Sequence, residues 1–184
     1  MGQAGVAAGT HNHAMVSRRP TYPFVPKSNA HLLPGHIWGI ALRDGRFACG
    51  VVVAVPTAQE APHYAINSRT FAAGLLDWVG DELPSPDTAD DSQLLTWGFG
   101  HVKMIGENRG AIVGHRSPPV DRAGALSGVS HRVGGTVGLY CDGRMVGTAT
   151  ADEARDLPVI GTWGFGYIVA VAERVFVDHK SVVR

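Results

Sequence analysis

The chain has 184 residues, of which 45% are hydrophobic and only 17% charged, with 24 glycines and 11 prolines spread along it. That is enough for one domain that buries roughly 70% of its unfolded surface, and the low charge with abundant glycine points to a compact β protein rather than a helical bundle. The formal net charge of zero gives no reason to expect a nucleic-acid or anionic-membrane partner, and two cysteines are too few for a disulfide scaffold.

Residues 1–20 are small and polar, and are expected to form a loosely attached leader before a single β-rich domain at 21–184. Arg18-Arg19 lacks the apolar segment that an export signal needs, and no apolar run reaches transmembrane length. A cytoplasmic protein is the expectation. Pro20, Pro23, Pro26 and Pro34 mark an extended lead-in, with Tyr22 and Phe24 expected against a sheet.

Residues 34–55 read as one long β-hairpin. Asp44-Gly45 is the residue pair favoured by a two-residue type I′ turn. That turn pairs Leu42 with Phe47, Ile40 with Cys49 and Trp38 with Val51 on a core-facing side. It pairs Ala41 with Ala48, Gly39 with Gly50 and Ile37 with Val52 on the other. Pro56–Pro62 reads as a loop and Thr70–Val79 as a strand. Ser85, Pro86 and Asp87 predict a short helix, with Ser85 as N-cap and an apolar face of Ala89, Leu94 and Leu95, ending before Gly98.

A strand is expected from Thr96 to about Ile105, then a turn at Gly106–Gly110, a short strand at Ala111–Gly114 and a long loop at Arg116–Val133. Gly135–Cys141 and Arg144–Ala149 form a second hairpin about Asp142-Gly143, pairing Tyr140 with Met145, Leu139 with Val146 and Gly138 with Gly147. Asp152–Leu157 reads as a helical turn stopped by Pro158. A long apolar strand should then run from Thr162 to about Val177. The fold class is mainly β: a curved antiparallel sheet or small barrel with one or two short helices, and two hairpin-plus-strand units that echo each other. The echo rests on ThrTrpGlyPheGly, which occurs at 96–100 and again at 162–166. Duplication and independent selection of a good strand start both account for it.

No chemistry-bearing motif stands out. His31 and His36 are separated by Pro34-Gly35, which breaks the helical face that such spacing serves in zinc sites. There is no Gly-x-Ser-x-Gly and no phosphate-binding loop. Catalysis would need Cys49, His101 and His115 to converge in one cleft. No catalytic residue, metal or cofactor is therefore assigned. Charge is uneven despite the zero total: Asp77, Asp81, Glu82, Asp87, Asp90 and Asp91 occur with no Lys or Arg between them. With Trp78 and Leu83 inside it, this stretch is either a solvated loop or a docking surface for a basic partner. Trp97, Phe99, Trp163 and Phe165 offer an alternative, a stacking face for a small molecule or nucleic acid.

The segment Leu32–Val52, with its Pro-Gly opening and Asp-Gly-Arg turn, resembles the start of the immunity 26 protein family. His36 stands where that family commonly has an acid, Ala41 where proline is common and Val51 where arginine is common. Phe71–Gly80 and the TrpGlyPheGly strand are similar to later parts of the family, and the likeness spans residues 25–115. It implies a non-enzymatic protein encoded beside a polymorphic toxin, which binds and neutralises that cognate toxin in the producing cell. The family carries no catalytic residues to transfer.

Overall fold

The computed structural model describes residues 21–119 and 125–179; the expected leader lies outside them. The described residues form nine strands and four short α-helices. Five strands make an antiparallel sheet in the order β5-β1-β2-β3-β4: β1 (His36–Ala41), β2 (Phe47–Ala54), β3 (Thr70–Gly80), β4 (Leu94–His101) and β5 (Ile112–His115). A sixth, β9 (Thr162–Trp163), lies parallel to β4 at the edge. A second sheet holds β6 (Ser127–Val129), β7 (Gly138–Cys141) and β8 (Arg144–Thr148). The fold is mainly β, as expected, but neither sheet closes into a barrel.

The first hairpin departs from the expected register by one residue. Leu42 N–H donates to Arg46 O and Gly45 N–H to Leu42 O, so the loop is three residues, Arg43-Asp44-Gly45, with Gly45 at φ +92°. Three-residue hairpin loops place a left-handed residue last, and glycine does this without strain. Trp38 therefore faces Gly50, Gly39 faces Cys49 and Ile40 faces Ala48. The two glycines do not face each other. A Cβ on Gly50 would stand 2.3 Å from the Trp38 ring, and one on Gly39 would stand 2.4 Å from Leu83 Cδ2. Each glycine makes room for a large side chain lying across the sheet.

Apolar residues alternate onto both faces of the sheet, and both faces are covered. On one, Trp38, Ile40, Phe71 and Leu75 pack with Met104, Ile168, Val171 and Ala172. On the other, Ile37, Cys49, Val51, Leu76, Trp97 and Phe99 pack with Leu126 from the turn before β6, Tyr140 of β7 and Ile160 from the segment before β9.

The first face is closed by α4 (Tyr167–Phe176), where a long strand was expected. Ile168, Val171, Ala172 and Val175 follow the 3, 4 and 7 spacing of one helical stripe. The hairpin loop grips the end of this helix. Arg43 N–H donates to Glu173 Oε1 at 2.6 Å, Arg43 pairs with Asp178, and Arg46 donates to Phe176 O at 2.9 Å. Asp44 accepts from Arg46 Nε at 2.8 Å and aims it. The Asp-Gly-Arg turn thus satisfies a carbonyl at a helix C-terminus.

The predicted helix is present as α1 (Pro86–Ala89), with Ser85 and Thr88 capping each other. It is a single turn; Leu94 and Leu95 belong to β4. That strand stops at His101, and α2 (Lys103–Gly106) replaces its expected continuation to Ile105. Gly100 permits the change, since a Cβ there would stand 2.5 Å from Met104 Sδ. The 116–133 segment holds β6 instead of being loop throughout. In the second hairpin Asp142 (φ 52°) and Gly143 (φ 75°) form the expected two-residue turn and Tyr140 faces Met145. A bulge beyond Tyr140 then sets Leu139 against Gly147 and Gly138 against Thr148. The predicted turn at 152–157 is α3 (Ala151–Asp156), capped by Thr150 and Glu153.

The two ThrTrpGlyPheGly copies share letters but not conformation. The first is strand throughout, while the second leaves the sheet after Trp163. They lie side by side, Phe99 opposite Thr162 and Gly100 opposite Trp163.

Candidate functional site

The acidic stretch lies along the end of β3, the turn after it and α1. Asp81, Glu82, Asp87, Asp90 and Asp91 are exposed. Among the described residues none of them forms a salt bridge. Asp77 is exposed too, and its Oδ1 accepts from Gln93 N–H at 2.6 Å, tying β3 to the start of β4. Trp78 is half-buried against the second core, and Leu83 is 54% exposed.

Arg116 supports this surface from beneath. It is 8% exposed, and it donates to Ala89 O (2.6 Å), Ser92 O (3.0 Å), Asp90 O (2.6 Å) and Ser117 O (3.1 Å). One guanidinium thus terminates α1 and anchors the turn carrying Asp90 and Asp91. Sequence patterning places it in a loop, because three of its four partners lie 24 to 27 residues away. Arg116→Met removes the side-chain donors to Asp90 O, Ser92 O and Ser117 O and leaves Ala89 O with Ser92 N–H at 3.2 Å; the change is expected to cost roughly 2–4 kcal/mol. Amide hydrogen exchange at 86–93 should speed up in that variant; unchanged exchange there would contradict the anchoring role.

The four rings of the expected stacking face do not share one face. Trp97 and Phe99 point into one core, Trp163 into the other, and Phe165 is exposed beside His101. The alternation of β4 puts Trp97 and Phe99 opposite Gly98, and Trp163 fills the space over that glycine, with Nε1 2.4 Å from where a Cβ would stand.

The trio of Cys49, His101 and His115 does not converge either. β4 and β5 are separated by three strands, about 19 Å at ordinary strand spacing. Cys49 is fully buried, and burial pushes its thiol up to about 12, far from a reactive thiolate. His115 sits instead beside His36, with ring centroids 5.4 Å apart.

One serine–histidine contact has no sequence signal, since its members are 67 residues apart: His63 Nδ1 lies 2.7 Å from Ser130 Oγ. Ser130 is 3% exposed, donates its hydroxyl to His131 O and accepts from Gly138 N–H. With the hydroxyl proton so used, the imidazole N–H is the donor. The pair braces the 61–66 segment against the second sheet.

A cavity of about 670 Å³ opens at the edge of the large sheet. Its walls are Leu94–Trp97 of β4, Asp90 and Asp91, Arg116–Pro119, Ala125, the stretch Asp156–Trp163, and Tyr167 at the start of α4. Asp90, Asp91 and Asp156 supply carboxylates, while Trp97, Trp163 and Tyr167 supply rings. Trp97 and Trp163 are each 6% exposed and present only their rims, whereas Tyr167 is 49% exposed. Trp163 buttresses Tyr167, with ring centroids 5.3 Å apart. Two residues of the stacking set therefore reach this cavity, as do two of the acidic set.

Among the described residues no helix is long and apolar enough to cross a membrane. No family model matches the chain, and no curated protein or solved structure is significantly similar to it.

Proposed function

We propose that this is a non-catalytic binding protein of the immunity type, acting in the cytoplasm to occupy and neutralise a cognate toxin with a basic surface. The observation that carries the reading is the acidic face: five exposed carboxylates on one stretch, none in a salt bridge among the described residues, around an exposed Leu83. Like charges gathered on one exposed stretch raise the field that a basic partner meets, which speeds encounter and selects orientation. An exposed apolar side chain at the centre of such charge supplies contact area. The Asp-Gly-Arg hairpin that carries the family resemblance serves to hold α4, so it identifies the scaffold rather than the contact surface.

The test is co-expression with the product of each neighbouring reading frame. One product should arrest growth alone and be harmless beside this protein. The triple charge reversal Asp87→Lys, Asp90→Lys, Asp91→Lys should slow association with that product about tenfold or more at low salt, with a smaller effect at high salt. An unchanged association rate would remove the acidic face from the interface.

The second reading, a small-molecule binding module, is favoured by one observation. The edge cavity falls within the roughly 300–1,000 Å³ range of ligand sites, and Trp97 and Trp163 both border it.

A further inference from the structure

β9 pairs with β4 only at Phe99 and Gly100. The outer edge of Leu94–Trp97 therefore has no strand neighbour among the described residues, and it forms one wall of the cavity instead. An unpaired strand edge presents backbone donors and acceptors to whatever lies beside it. Acidic residues flank this edge on two sides: Asp90 and Asp91 from the α1–β4 turn, which form no salt bridge among the described residues, and Asp156 from the end of α3, whose Oδ1 accepts from Arg155 Nε at 3.0 Å. Arg116 also borders the cavity, but four of its N–H donors are committed to backbone carbonyls. The floor near Trp163 offers the half-exposed ring of Tyr167.

These features call for three properties in one ligand: an extended backbone, a positive charge, and a flat or slender cation that can lie on an aromatic ring. A basic peptide segment has all three. A neutral metabolite would leave Asp90 and Asp91 without a counter-charge, and an anion would be repelled by them. We infer that the cavity is a socket for an arginine-bearing extended segment of the partner, laid along the free edge of β4 with its guanidinium between Asp91, Tyr167 and Oδ2 of Asp156, the oxygen opposite the one that Arg155 holds. The inference rests on the reading of this protein as a binder of a basic partner, and it locates where one side chain of that partner anchors.

The test uses acetyl-Gly-Arg-Gly-amide as the probe, with acetyl-Gly-Gln-Gly-amide as control, on the full chain. Binding is followed by the four indole N–H resonances in a heteronuclear NMR titration. The Trp97 and Trp163 signals should shift saturably with the arginine peptide, while Trp38, which is 1% exposed, stays fixed. Asp156→Asn and Tyr167→Leu lie outside the acidic stretch and at exposed positions. Each should weaken the probe about threefold to tenfold, and the circular dichroism spectrum checks that the fold is kept. Equal shifts with the glutamine peptide, or no movement of Trp97 and Trp163, would overturn the socket.

The two readings fail separately. If the socket variants leave toxin association unchanged while the triple charge reversal slows it, the acidic face stands and the socket falls. If the arginine peptide binds and the charge reversal has no effect on the toxin, the socket stands as a peptide site and the toxin reading loses its surface.

Discussion

Gly50→Ala is expected to destabilise this protein by about 3 kcal/mol or more, and most of that loss should disappear when Trp38 is also shortened to leucine. The added Cβ would stand 2.3 Å from Cε2 and 2.4 Å from Cζ2 of the Trp38 indole. That ring cannot retreat: it is 1% exposed and packed edge-on against Phe71, with centroids 5.9 Å apart. Trp38→Leu alone removes part of a buried ring and should cost roughly 2–4 kcal/mol through the cavity it leaves. In that background a methyl at position 50 enters space already vacated. Chemical denaturation of the four proteins in the cycle measures the coupling. Equal costs of Gly50→Ala in both backgrounds would show that the ring does not lie over this glycine. A Gly39→Ala, Gly50→Ala pair makes the contrast: the facing-glycine register requires strong coupling between them, and the observed register puts Gly39 under Leu83.

Acid should destabilise the fold well above the range in which carboxylates titrate. His36 is fully buried, its Nδ1 accepts from Leu33 N–H at 3.1 Å, and its Nε2 lies 3.0 Å from Tyr22 Oη. With Nδ1 engaged as an acceptor, the neutral ring carries its proton on Nε2 and donates it to the tyrosine. Burial first, and the neighbouring His115 second, push the imidazole down to about 4 from its ordinary 6.5. Between those values the unfolded chain takes up a proton that the folded chain refuses, so stability falls as pH falls. The full difference is about 3 kcal/mol, lost progressively from pH 6.5 to pH 4. His101 is shifted downward too, by burial first and then by Arg69 and Lys103, so it adds a slope of the same sign. His36→Asn keeps a side-chain acceptor near Leu33 but cannot titrate. Unfolding free energies from pH 7.5 to 4 should therefore fall much less steeply in the variant; parallel curves would exclude His36 as the source.

Both expected results turn on contacts between residues that local patterning had set differently or left unconnected. Leu42, Asp44 and Gly45 are compatible with a two-residue and a three-residue loop. The choice between them costs little locally, yet it moves every side chain of β1 relative to β2. The three-residue loop prevails because it brings Trp38 over Gly50 and Arg46 within reach of the carbonyl of Phe176. The 167–177 segment differs from its expected strand for a related reason. IleValAlaValAla reads as a strand by β-branching and as a helix by spacing, and periodicity alone does not separate short apolar runs. An apolar sheet face that needed a cover decided for the helix. The edge cavity has no signature at all, since its walls come from five separate parts of the chain between Asp90 and Tyr167.

The sequence by itself determined what acts within a few residues. It set the mainly-β class, the strands at 36–54 and 70–80, the Ser85 cap on α1 and the Asp142-Gly143 turn, because turn chemistry, capping and period-two alternation are local forces. It also placed the six carboxylates on one stretch. Only the tertiary structure decided that Trp38 lies over Gly50, that α4 is a helix, and that the two aromatic repeats meet at an edge beside a cavity. Those outcomes are fixed by burying large side chains over glycines tens of residues away, an energy that no short window of sequence contains.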